Sequence, residues 1–267
     1  MLDLDSINTG FSRKALVYDE YGADHPAIQW TRAQVYMRVL AVAAPGASLL
    51  ELNAGTGADA ARLAERGFRV HATDLADGMV AAIRDKIEAR GLHDRLTAQQ
   101  CSFTEPQFIQ GGPYDVILSN FGGLNCVPDL SLVVRGLPRL LKPGGHVIAV
   151  VMPPVCPWEL AQALRGRFNV AFRRLRRAVL AHVEGAHFIT YYFSPAEVQR
   201  AFGEDFATVH LQSLSLFSPP AFMDGFPRRF PRLFRWLTAL DARLTPHPPF
   251  NALGDFFVLT LRYHPAC

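Results

Sequence analysis

The chain has 267 residues, 49% of them apolar and 19% charged, with a formal net charge of +3. That length fits one large α/β domain or two small ones, and the composition is too apolar for a disordered chain. So small a charge gives no reason by itself to expect nucleic-acid binding, the longest apolar run (147–155) is broken by prolines and far short of the roughly 20 residues of a membrane span, and residues 1–5 lack the basic-then-apolar pattern of a secretory signal.

In chain order, apolar spacing predicts a helix over 31–43, ended by Pro45 and Gly46, then a strand over 48–52. A helix over 58–66 stops at Gly67, followed by a strand over 68–73. A helix over 77–90 stops at Gly91; strands over 96–103 and 115–119 follow. A helix over 130–141 is stopped by Lys142, Pro143, Gly144 and Gly145 before a strand over 146–152. Strands alternating with helices imply a parallel sheet covered on both faces. Beyond Met152 the rhythm changes. An Arg-rich helical stretch is predicted over 158–183 and a strand over 188–193. Ser194, Pro195 and Glu197 form an N-cap signature for a helix to Phe202, and strands over 206–217 and 256–263 close the chain.

The two parts differ in chemistry. Residues 1–150 hold 14 basic and 16 acidic side chains; residues 151–267 hold 13 arginines, no lysine and 8 acids, with 14 of the 19 phenylalanines. The cysteines Cys101, Cys126, Cys156 and Cys267 form no C-x-x-C pair, so neither zinc nor a disulfide framework is indicated, and a reducing cytoplasm is the expected location. The nine histidines show no H-x-x-x-H pairing and the acids do not cluster with them, so no metal is expected.

Chemistry first shows at Leu49-Leu50-Glu51-Leu52-Asn53-Ala54-Gly55-Thr56-Gly57, a strand entering a glycine turn and then a helix. Glycine lets a backbone approach a ligand, and free N–H groups at a helix start can face it; a plain structural turn is the rival reading. Asp74 ends the next strand, where an acid can accept from ribose hydroxyls or simply cap the following turn. The third glycine of a dinucleotide fingerprint is absent, which argues against a nicotinamide-dependent oxidoreductase.

Together with Ala-Thr-Asp-Leu-Ala-Asp-Gly-Met (72–79), Tyr-Asp-Val-Ile-Leu-Ser-Asn-Phe (114–121) and Leu-Lys-Pro-Gly-Gly (141–145), this turn resembles the class I S-adenosylmethionine (SAM)-dependent methyltransferases over residues 11–152. The lead-in Phe11-Ser12 … Tyr18-Asp19 resembles that of small-molecule members. The resemblance implies an α/β, Rossmann-like, doubly wound sheet of seven strands in order 3-2-1-4-5-7-6, the last antiparallel. It implies one domain over 1–267, with a SAM-binding core over 1–152 and lid or substrate insertions over 153–193 and 217–250. Glu51, Asn53, Ala54, Gly55 and Gly57 would surround the methionine part of SAM, although Asn53 stands where the family usually has glycine. Asp74 would bind the ribose, and Leu75 and Met79 would flank the adenine. Ser102 and Phe103 stand where many members carry an acid, Asn120 and Phe121 beside the methyl group. Tyr18 and Arg32 are candidates for the amino-acid end of SAM.

No sharp catalytic motif is present, as alignment alone can drive transfer from an activated sulfonium. His187 and Tyr191 are candidate bases, with His182 and Glu159 behind them, and Asn125 a candidate acceptor contact; structural roles compete for each. The expected activity is methyl transfer from SAM, leaving S-adenosylhomocysteine (SAH), to a small, partly apolar acceptor that can carry an acidic group, with oxygen favoured. Two alternatives stay open: a carboxyl methyltransferase on a carrier-bound acyl chain, and a SAM-binding partner protein without catalysis. No nucleic-acid partner is expected. The Phe- and Arg-rich stretch 217–250 could line an acceptor pocket, pack as a cap or touch a membrane surface.

Overall fold

A computed structural model describes residues 3–265, so Cys267 lies outside the described residues. The strands are β1 (Ser48–Leu52), β2 (Arg69–Asp74), β3 (Leu96–Gln100), β4 (Tyr114–Ser119), β5 (Leu141–Val151), β6 (Ala178–Val183), β7 (Ala186–Tyr191), β8 (Phe206–Leu214) and β9 (Phe256–Tyr263). Seven form one sheet in the order β3-β2-β1-β4-β5-β9-β8. The first five are parallel, and β9 runs antiparallel to both β5 and β8. This is the expected Rossmann-like topology, with β8 and β9 in the places of the sixth and seventh strands.

The central strands β1, β4, β5 and β9 are buried on both faces. Leu49, Val116, Leu118, Ile148 and Val150 belong to one core, while Leu50, Ile117, Val147, Ala149 and Val151 belong to the other. That division by alternate residues explains why these strands read as continuous apolar runs. On the first face lie α2 (Pro26–Val42), α3 (Ala58–Glu65) and α4 (Asp77–Arg90), through Val39, Leu63 and Ile83. On the other lie two short helices, α5 (Ser131–Val134) and α6 (Leu137–Leu140), then α9 (Pro195–Phe202), which carries the expected capping box between Ser194 and Glu197.

Three expectations change. The predicted helix over 130–141 is two single turns, because Pro138 gives up a backbone donor and β5 already begins at Leu141. The predicted Arg-rich helix over 158–183 is a run of short turns that ends in a strand. After α7 (Pro157–Leu160) and α8 (Phe168–Ala171), β6 and β7 form a hairpin around Glu184 and Gly185. Both turn residues have positive φ (+45° and +83°), as a tight two-residue hairpin requires. Finally, residues 4–23 form a long helix, α1 (Leu4–Ala23), for which the chain's own periodicity gives no clear signal.

Tertiary bonds hold α1 in place. Ala76, at the N-cap of α4, has no capping side chain. Instead Asn8 of α1 accepts from Asp77 N at 3.1 Å, and Ser12 accepts from Gly78 N at 3.0 Å. Asp19 accepts from Thr56 of the glycine turn and pairs with Lys86 of α4. Two helices, α10 (Gly225–Arg229) and α11 (Pro231–Leu244), occupy the insertion between β8 and β9. Buried Asp241 anchors α11 by accepting from the backbone N–H groups of Leu216, Phe217 and Ser218 and from the Ser218 hydroxyl.

Candidate functional site

At the carboxyl ends of β1, β2 and β4 the chain bends sharply around a cavity. Asn53, Gly55 and Gly57 take positive φ (+45°, +56°, +73°), as do Phe121 (+48°) and Gly122 (+74°) after β4. Left-handed backbone is costly for Phe and tolerated by Asn, whose short polar side chain can bond locally. Asn53 is fixed by its side chain: its amide donates to Asn120 O at 2.8 Å and accepts from the Ser119 hydroxyl at 2.6 Å. The residue that departs from the family's glycine thus ties the end of β1 to the end of β4. Phe121 packs edge-on against Phe256 and carries the Arg32 guanidinium over its ring at 5.3 Å.

The Asn53 side chain fills the space beside Gly123, where an added Cβ would lie 2.1 Å from Asn53 Cγ. Gly123→Ala is therefore expected to lower stability by about 1–3 kcal/mol. Adding Asn53→Gly should recover part of that loss, which a double-mutant cycle in urea would measure.

The cavity encloses about 940 Å³, part of it open to solvent. It is lined by thirteen of the fourteen predicted cofactor residues: Tyr18, Arg32, Glu51, Asn53, Ala54, Gly55, Asp74, Leu75, Met79, Ser102, Phe103, Asn120 and Phe121. Gly57 does not line it; its added Cβ would meet Ile83 at 2.8 Å, so this glycine lets α3 pack closely on α4. Leu4, Ile7 and Phe11 of α1 also line the cavity, at i, i+3 and i+7 on one helix face. That apolar face is turned to the cavity rather than to the sheet.

Charge is distributed unevenly. Glu51, Asp59 and Asp74 line the cavity with one cation, Arg32. Arg32 pairs with Asp59 at 3.3 Å, and Asp59 accepts from Asn120 Nδ2 at 3.0 Å. Burial, then the neighbouring Asp59, raises the Glu51 pKa well above its usual range, against the opposing pull of Arg32. Burial also pushes Asp74 up to about 6, although backbone N–H groups stabilise its charge. Those donors include Gly55 N at 2.8 Å and Ala76 N at 2.9 Å, so Asp74 both caps its own turn and holds the glycine turn. Burial raises the Tyr18 pKa, with Arg32 acting against it.

The predicted catalytic residues lie elsewhere. His187, Tyr191 and Asn125 do not line the cavity. Asn125 is fully buried and fully used: Nδ2 donates to Met152 O and Tyr191 O, and Oδ1 accepts from Met152 N. His187 is exposed on β7, its ring 4.7 Å from that of His182 across the hairpin. Tyr191 contributes its carbonyl to Asn125. Glu159, also weighed as a base, is buried between Arg173 and Arg174; burial opposes its charge, but these hydrogen bonds outweigh it and lower its pKa.

SAM fits this cavity on one direct observation. Among the described residues, buried Glu51 Oε2 and Arg32 Nε have no hydrogen-bond partner. They are an unmet acceptor and an unmet donor, as an ammonium and a carboxylate on one ligand require. With its one arginine already paired to Asp59, the acid-rich lining also opposes a pyrophosphate, and a cationic ligand would favour the ionised forms of Glu51 and Asp74.

Comparison with known proteins agrees with this reading. A family model described as "Methyltransferase domain" matches residues 49–145. A demethylmenaquinone methyltransferase from Thermus thermophilus is 31% identical over 201 residues, 71% of this chain and 83% of that protein. Among solved structures, the 1,6-didemethyltoxoflavin-N1-methyltransferase of Burkholderia thailandensis, with SAH bound, superposes with a TM-score of 0.57 at 17% identity, over 98% of this chain and 88% of its own. The CcbJ methyltransferase of Streptomyces caelestis gives 0.62 at 19%, over 94% and 96%. The fold and cavity define a SAM-dependent enzyme of the Rossmann-like type. The chain belongs to the class I SAM-dependent methyltransferases.

Proposed function

We propose that the enzyme methylates a small, partly apolar acceptor, most readily at an oxygen, with the cavity residues in the following roles. Bound SAM supplies a methyl group already activated on a sulfonium. Arg32 and Glu51 hold its carboxylate and ammonium, Asp74 accepts from the ribose hydroxyls, and Leu75, Met79 and Phe103 flank the adenine. Phe121 and Asn120 border the transferring methyl, and α1 covers the site through Leu4, Ile7 and Phe11, excluding water.

The observation that carries this reading is the unmet pair Glu51 Oε2 and Arg32 Nε at the glycine-turn end of the cavity. The preference for oxygen is supported by the lining, which contains no histidine. An acidic hydroxyl or carboxyl arrives already ionised and asks only for alignment, which can be worth roughly 7–11 kcal/mol. The apolar character is supported by the Thermus relative, which is named for a quinone. Arg173 and Arg174 are bound to Glu159 and Arg177 to Glu197, so support for an acidic group on the acceptor comes from the ionised oxygen it would bring rather than from these arginines.

Labelled SAM with a panel of apolar phenols, carboxylic acids, amines and carbon nucleophiles tests the reading. Label on the oxygen of a phenol or acid is the expected result; label on amines or carbon alone would reject oxygen. Arg32→Met should raise KM for SAM by about 10–100-fold with a smaller effect on kcat, the loss of one hydrogen bond to a charged group.

A further inference from the structure

The two insertions expose side chains that neither the fold nor the cavity uses. In the first, Leu164 is 91% exposed and Phe168 60%; in the second, Trp236 is 60% exposed, with Phe222, Phe230 and Leu233 near half. Arginine surrounds them. Residues 160–183 contain six arginines and no acid, and residues 217–236 contain four arginines and one acid, Asp224. Arg173, Arg174 and Arg177 are taken by ion pairs, while Arg165, Arg167, Arg176, Arg228, Arg229, Arg232 and Arg235 are exposed.

The two insertions adjoin. Gln162, Arg165, Arg167 and Val170 form one wall of an open groove whose other wall is 222–226. The α11 helix is held from behind by buried Phe234, Thr238 and Asp241, so its inner face is satisfied. Its outer face presents Arg232, Leu233, Arg235 and Trp236.

We propose that these exposed Arg- and apolar-rich parts of the two insertions dock on the surface of an anionic lipid bilayer. Large apolar side chains between arginines match the boundary between acyl chains and headgroups: the apolar groups enter while guanidinium groups bind phosphate oxygens. The aliphatic members, Leu164 and Leu233, favour lipid over nucleic acid, because bases stack on rings and guanidinium planes rather than on leucine. No helix among the described residues is long and apolar enough to cross a membrane. The inference stands apart from the assignment of acceptor atom.

The test is co-sedimentation of the full chain with phosphatidylcholine vesicles, with and without about one quarter phosphatidylglycerol, beside a polyuridylate competitor. Binding only to the anionic vesicles, weakening with salt, is expected. Leu164→Ala/Trp236→Ala and Arg165→Glu/Arg167→Glu should each reduce it by about tenfold or more while SAH affinity, read by calorimetry, stays unchanged. Equal binding to neutral vesicles, no binding, or full binding by both variants would overturn the proposal. Polyuridylate bound more tightly than the anionic vesicles, and lost in the same variants, would overturn it in favour of a nucleic-acid face.

Discussion

Asp74→Ala is expected to weaken SAH binding by at least about 100-fold, since two hydrogen bonds to a charged group are each worth roughly 1.5–3 kcal/mol. The side chain does two things at once. It accepts from Gly55 N and Ala76 N, fixing the glycine turn, and it lines the cavity where ribose hydroxyls would donate. Burial pushes its pKa up to about 6, so acidity should control binding. The ligand prefers the carboxylate, so the pKa in the complex lies below that of the free chain. Affinity should hold from pH 8 to about 6 and fall below it, by up to about tenfold per unit, as the free chain takes up a proton that binding must release. Asp74→Asn should bind weakly with no such slope. Calorimetry over that range decides: wild-type affinity that is flat down to pH 5 would remove Asp74 from ribose binding.

Much of this site was legible because each signal is local. The turn 51–57, Asp74 at a strand end and Asn120-Phe121 after the fourth strand all sit at the same end of parallel strands, so the topology alone gathers them. The order of the main sheet was readable for the same reason: buried parallel strands are apolar on both faces and stand out. Helix α1 was not readable in this way. Its apolar stripe points at the cavity, and its polar residues Asn8 and Ser12 serve the start of α4, more than sixty residues away in sequence. The strand at 178–183 was hidden because its alternation follows an arginine run that also suits a helix. Asn125 looked like an acceptor contact because an amide after a fourth strand can be one. Only the three-dimensional arrangement shows both ends of that amide bound to Met152 and Tyr191.

Arginine was likewise ambiguous from sequence, and Arg174 shows why. Its five guanidinium donors are all used: two reach Glu159 Oε1 at 2.9 and 2.7 Å, one Asp255 Oδ1 at 2.6 Å, and two the backbone oxygens of Asp255 and Pro153. Cys156 also lies close, so thiol and carboxylates form a group with metal-like spacing, but the guanidinium holds both carboxylates. Arg174→Met is expected to destabilise the fold by about 3–5 kcal/mol, because Asp255 stays buried with its ion-pair partner gone while Glu159 keeps only Arg173. Arg174→Lys should rescue little, since three rotatable donors cannot replace a planar fork of five.

The pH dependence separates this from simple loss of packing. In the wild type, burial opposes Glu159's charge but Arg173 and Arg174 lower its pKa, so its contribution is present above the unfolded value and lost as pH falls through the folded one. Without Arg174 the dominant influence on Asp255 is burial, which raises its pKa, so its cost should be relieved as pH falls. The urea midpoint of Arg174→Met should therefore rise between pH 8 and 5 relative to the wild type, and Asp255→Asn added to it should remove most of that slope. A variant with wild-type stability and no relative slope would show that the arginine is dispensable to the first insertion.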